Sequence, residues 1–113
     1  MSNYLTIYIN DEKLLEHDKN TRHPGKQRQF FETMDLDMDE GIELNGNVIK
    51  PPNKEQRSHY IIMRLLYGIE NKSEGLISST CGYLITRYPE LKQIRAINNG
   101  KDVSLDLIFN EMN

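Results

Sequence analysis

Tryptophan is missing from this chain, cysteine occurs once, and no run of apolar residues exceeds a few positions. Each shortage excludes something. With Cys81 alone there is no internal disulfide, so the fold has no covalent staple and a reducing compartment is the expectation. No stretch approaches the roughly 18 apolar residues that cross a bilayer. The start, Met1-Ser2-Asn3-Tyr4, carries neither the basic nor the apolar segment of a secretion signal. The expectation is therefore a cytoplasmic protein without a membrane partner. A glycine-rich phosphate loop, a nucleophile elbow and a paired metal motif are also missing. The three histidines, His17, His23 and His59, lack the short spacings of a zinc signature. No cofactor and no assembled catalytic machinery is predicted.

What is present suits one modest core. The chain has 113 residues, 37% of them hydrophobic, with six Tyr and three Phe. That is enough for a single domain over 1–113 and too little for two independent cores. The net charge of −3 is small but unevenly placed. Lys19, Arg22, Lys26 and Arg28 stand together without an acid, and Glu32, Asp35, Asp37, Asp39, Glu40 and Glu43 follow without a base.

Hydrophobic periodicity assigns the elements. Tyr4 to Ile9 alternates, with Leu5, Ile7 and Ile9 on one face and Tyr4, Thr6 and Tyr8 on the other, which predicts a half-buried strand. Asn10-Asp11 ends it, and the polar residues 10–23 read as a loop. Phe30, Met34 and Met38 recur every fourth position beside Phe31, predicting a helix over about 25–40. Ile42-Glu43-Leu44 and Val48-Ile49 flank Asn45-Gly46-Asn47, a short hairpin. Pro51-Pro52 stops it, and Asn53 with Gln56 forms a capping box for a second helix reaching Glu70 or Asn71, with Ile62, Leu65, Leu66 and Ile69 as its stripe. A third helix, capped at Asn71 or at Ser73, runs through Leu76, Ile77, Thr80, Cys81, Leu84 and Ile85 until Pro89 closes it at Tyr88. Residues 92–98 and 101–109 then form a hairpin about Asn99-Gly100, a register that sets Ala96 opposite Val103 and Ile94 opposite Leu105, with Val103, Leu105, Leu107 and Phe109 on the apolar face. The sum is an α+β two-layer sandwich, a three-stranded, mainly antiparallel sheet packed against about three helices, plus the short hairpin.

Three constellations bear on function. Asp35, Asp37 and Asp39 alternate as in a calcium loop, but counting from Asp35 puts Glu40 where the turn glycine belongs and Gly46 where the bidentate glutamate belongs, so a solvated helix end is the reading. Cys81 lies a turn from Ile77 and Ile85, and it reads as a small hydrophobe of the core. Lys19, Arg22, Lys26 and Arg28, at a helix start, would suit phosphates, although the adjacent carboxylates would repel a polyanion. Lys50, Lys54, Arg57 and Arg64 form a second basic set that would equally neutralise the acidic segment within the fold. The outer strand face, with Tyr4 and Tyr8, would suit a protein interface.

Met34-Asp35-Leu36-Asp37-Met38-Asp39-Glu40-Gly41, Gln56-Arg57, Cys81-Gly82-Tyr83-Leu84 and Arg87-Tyr88-Pro89 together resemble small hypothetical proteins of proteobacteria, over residues 26 to 97. The resemblance implies a bacterial cytoplasmic protein and transfers no activity.

The expected function is a non-enzymatic protein-binding or regulatory module with a protein partner or a homodimer, acting through Tyr4, Tyr8 and the charged segments bearing Lys19, Arg22, Lys26, Arg28, Asp35, Asp37 and Asp39. The alternatives are a nucleic-acid-binding accessory protein using the basic 19–28 segment, and a small enzyme whose site is assembled from distant residues.

Overall fold

The computed structural model describes residues 4–19, 25–44 and 46–109, and within the first helix it describes side chains from Arg28 onward. The expectations for Arg22, for residues 20–24, for Asn45, for the Lys26 side chain and for the last four residues lie outside that set. The contacts divide the chain into two compact units, Met1–Thr21 with Leu84–Asn113, and Arg22–Tyr83. The class is α+β, as expected, with three helices, one mixed sheet and one two-stranded hairpin.

The first unit holds the sheet. It has four strands, β1 (Tyr4–Ile9), β2 (Glu12–Asp18), β5 (Leu91–Asn98) and β6 (Val103–Phe109), in the order β2-β1-β5-β6. The expected three-stranded sheet is corrected by β2, which occupies what the sequence presents as a polar loop. Asn10 and Asp11 take φ of 52° and 68°, so they do not merely end β1 but form a tight hairpin turn pairing Ile9 with Glu12. Two consecutive positive φ angles give the turn the twist of the flanking strands, and Asn and Asp tolerate them. A bulge between the Ile7 and Tyr8 pairs leaves Leu14 extra on β2, which breaks the alternation that would have announced a strand.

β1 and β5 run parallel, and the pairing places Ile7 beside Ile94 and Ile9 beside Ala96. With Leu15 across from Ile7 and Leu107 across from Ile94, one apolar row crosses all four strands. Leu5, Ile7, Ile94 and Ala96 are buried, and burying a leucine or isoleucine side chain is worth roughly 1.5–3 kcal/mol. Past Ile9 the Asn10 side chain continues the ladder: its Nδ2 donates to the Asn98 carbonyl at 3.3 Å and its Oδ1 accepts the Asn98 amide at 2.9 Å.

The β5–β6 hairpin forms in a register two residues from the expected one. Ala96 faces Leu105 and Ile94 faces Leu107, so the connection is the four residues Asn99 to Asp102. Asn99 is the reason. Its Oδ1 accepts the amides of Lys101 at 3.0 Å and Asp102 at 2.8 Å, which satisfies a longer turn, while Gly100 sits at φ 92°. The even slip keeps Val103, Leu105 and Leu107 on the apolar face. Phe109 is 45% exposed and does not complete that face.

The second unit contains α1 (Gly25–Asp39), the hairpin β3 (Ile42–Leu44) and β4 (Asn47–Ile49), α2 (Lys54–Glu70) and most of α3 (Glu74–Arg87). In α1 the buried side chains are Phe31 and Met38, whereas Phe30 is 48% exposed, correcting the expected stripe. Neighbouring positions on a helix point about 100° apart, and here the two adjacent phenylalanines diverge, Phe31 into the core and Phe30 toward the surface. Asn53 and Gln56 form the predicted capping box at 2.7 and 2.8 Å. Helices α2 and α3 pair tightly because Gly68 lies against Leu76 and Ile77, where an added Cβ would come within 3.2 Å of the leucine. The Ser73 amide closes the turn on the Gly68 carbonyl at 2.8 Å. α3 stops before Pro89, as expected, and Tyr83, which periodicity does not single out, packs its ring edge-on to Phe31 at 6.2 Å.

Candidate functional site

The acidic run does not act as one patch. Asp35 and Asp39 stand one helical turn apart and both face Arg57 of α2. Its Nη2 donates to the Asp39 carboxylate, its Nη1 donates to the Asp35 carbonyl at 3.1 Å and lies 3.7 Å from the Asp35 carboxylate, and its Nε donates to the Pro52 carbonyl at 3.2 Å. The Tyr83 hydroxyl donates to the same Asp35 carboxylate. The Asp39 bond raises the Arg57 pKa against the opposing effect of burial. Arg57 thus joins the C-terminal half of α1 to the start of α2, which is the internal neutralisation that the second basic set suggests. Asp37, half a helical turn away, points elsewhere, so the three aspartates do not converge. Among the described residues no three His, Cys, Asp or Glu side chains gather as a metal site.

The other predicted residues are dispersed. Lys19 donates its ammonium to the Pro89 carbonyl at 3.1 Å, and burial, with Lys92 nearby, lowers its pKa. Arg28 is exposed on α1. Tyr4 is 44% exposed, while Tyr8 is half-buried beneath Arg95, whose guanidinium carbon lies 4.2 Å from the ring centre. Arg95 also donates to Gln93 at 3.0 Å and reaches Asp11 at 3.6 Å, so the middle of that sheet face is occupied by its own side chains. Cys81 is buried, and desolvation pushes its thiol up to about 12, which removes the thiolate a nucleophile requires.

What the structure does bring together is a groove of about 260 Å³ on the second unit. Phe30 and Met34 of α1 form one wall, Tyr60 and Arg64 of α2 with Leu76 of α3 the other, and Met38, Ile42 and Ile61 the buried floor. Asp37 and Arg64 supply one charge of each sign, and among the described residues neither has an ion-pair partner. Beyond the groove α2 exposes Met63 at 40% and Tyr67 at 63%. An aromatic and methionine surface of this kind is hydrophobic, adaptable and edged by polar groups, the composition that interface centres favour. Periodicity assigns Phe30 to the core. The paired phenylalanines are the one signal in the sequence that one of them faces outward.

In comparisons with known proteins no family model matches the chain, and neither a curated protein nor a solved structure matches it.

Proposed function

We propose that this chain is a non-enzymatic protein-binding or regulatory module of a bacterial cytoplasm, and that its docking site is the groove between α1, α2 and α3. The observation that carries the reading is the exposed Phe30 beside a floor of buried Met38, Ile42 and Ile61, with the charges of Asp37 and Arg64 at its rim. The partner is an amphipathic protein segment. It inserts an apolar side chain between Phe30 and Tyr60, presents a basic group to Asp37 and presents an acidic group to Arg64. The reading moves the binding surface away from the aspartates facing Arg57 and away from the outer sheet face.

Photo-crosslinking tests this directly. A benzoylphenylalanine at position 30 should capture one protein, while the same probe at Leu36, which is exposed on α1 but outside the groove, should not. Replacing Arg64 by Glu should abolish the capture while leaving the circular dichroism unchanged. Equal capture from both positions, or retention by Arg64→Glu, would exclude the groove. Nucleic acid retained by Arg28 in place of a protein would favour the basic segment.

A further inference from the structure

We propose that β6 is a dimerisation strand, along which two copies of this chain pair antiparallel about a twofold axis at Leu105 to make one continuous eight-stranded sheet. This goes beyond the groove, which lies in the other unit, and neither proposal depends on the other.

The two edges of the sheet differ in how they meet solvent. β2 is a guarded edge: Glu12, Lys13, Glu16 and Asp18 are exposed along it, and the bulge at Leu14 breaks its line. Charges and bulges of this kind prevent edge-to-edge association. β6 has neither. Its seven residues, VSLDLIF, contain one charge and no proline, and the irregularity in its pairing with β5 lies on the β5 side, at Lys92. Among the described residues no strand pairs with its outer edge. The apolar row also ends unfinished there. Ile94 and Ala96 on β5 are fully buried, but Leu107 and Leu105 opposite them are only half-buried, as is Val103. A further strand beyond β6 would cover that flank.

Chemistry selects the register. A twofold at Asp106 would set that carboxylate against its own copy, a like-charge pair that opposes association. A twofold at Leu107 would set Asp106 against Ile108. With the axis at Leu105, Leu105 meets itself, Val103 meets Leu107, and the Ser104 hydroxyl meets the carboxylate of Asp106 in the second copy, to which it donates. From Val103 to Leu107 each apolar residue faces an apolar one and the single charge gains a donor twice, while Ile108 and Phe109 extend past the paired segment.

The register fixes an experiment with opposite expected signs at one exposed position. Light scattering of the full chain across concentrations should show a monomer–dimer equilibrium. Ser104→Lys places an ammonium opposite Asp106 at two symmetric points and should tighten the dimer, and Ser104→Asp places a second carboxylate there and should weaken it, each by roughly tenfold. Glu16→Lys on the β2 edge should change nothing. Circular dichroism establishes that each variant is folded. A wild-type chain that stays monomeric at every concentration overturns the proposal. So does a dimer that ignores both Ser104 changes, or one that moves in the same direction with both, since another surface or register would then hold it.

Discussion

Replacing Arg57 by Met removes one guanidinium and keeps most of its apolar stem, so the loss isolates the polar contacts. Three are at stake. The bonds from Nε to the Pro52 carbonyl at 3.2 Å and from Nη1 to the Asp35 carbonyl at 3.1 Å are charge-assisted contacts to backbone from a side chain 20% exposed. A net value of about 1 kcal/mol each is appropriate. The third, to Asp39, meets a carboxylate 50% exposed, which water re-solvates readily, so it adds well under 1 kcal/mol. Asp35 keeps the Tyr83 hydroxyl when Arg57 is gone, which limits the penalty of leaving a carboxylate behind. The expected cost is about 2–3 kcal/mol, or a fall in melting temperature of roughly 8–12 °C. Asp39→Asn retains the acceptor oxygen and loses only the charge, so it should cost about 0.5 kcal/mol or less. Urea unfolding followed by circular dichroism measures both. At about 1 M salt, where screening acts over roughly 3 Å, the small Asp39→Asn cost should vanish while the Arg57→Met cost persists. If the two variants cost the same, or if the Arg57→Met loss also disappears in salt, Arg57 acts as a surface ion pair and the account of it as a link between α1 and α2 is wrong.

Two further outcomes follow from other contacts. Gly68→Ala gains up to about 1 kcal/mol of helix propensity but drives a methyl group to 3.2 Å from Leu76, and overpacking of that kind costs about 1–3 kcal/mol. A net loss of roughly 1 kcal/mol in urea unfolding is expected, and a gain would mean that α2 and α3 separate easily. Cys81 is protonated in the folded chain to about pH 12, whereas an ordinary thiol ionises near 9.0. Between those values the unfolded state releases a proton that the folded state keeps, so stability falls as pH rises, by at most about 1.4 kcal/mol per pH unit. Stability measured against pH above 9 should show this component in the wild type and lack it in Cys81→Ala.

Much of the architecture is local and therefore legible in the sequence. The capping box at Asn53, the stop at Pro89 and the hairpin of β3 and β4 each depend on a few adjacent residues, and each forms where expected. The departures have physical causes as well. β2 is hidden because a bulge at Leu14 places two leucines side by side and because Asn10-Asp11 makes a turn usually announced by Asn-Gly. The β5–β6 register slips because one side chain, Asn99, favours a longer loop. Phe30 and Phe31 are adjacent and equally apolar in the sequence, yet only Phe31 is buried. The groove is illegible for a different reason: its walls come from α1, β3, α2 and α3, and only the fold brings Phe30 near Tyr60 and Leu76. In the sequence Arg57 is one of several basic residues, and nothing distinguishes it from Lys54 or Arg64 until α1 packs with Asp35 and Asp39 directed toward it.

The parallel pairing of β1 with β5 sets a timetable for synthesis. Thr6 pairs with Gln93, more than eighty positions later, so the N-terminal hairpin leaves the ribosome long before its neighbour exists. Closing a loop of that length costs about 4 kcal/mol of chain entropy beyond a constant. The intervening residues make a compact unit of their own, Arg22–Tyr83, whose internal contacts all fall within that segment and need not wait for β5. If that unit orders first, it shortens the span between β1 and β5 and lowers the remaining entropy. Until β5 arrives, β1 is a strand of Leu5, Ile7 and Ile9 with one side unpaired. The early chain is therefore exposed to wrong partners on β1, and the time taken for β5 to be synthesised and emerge decides how long that exposure lasts.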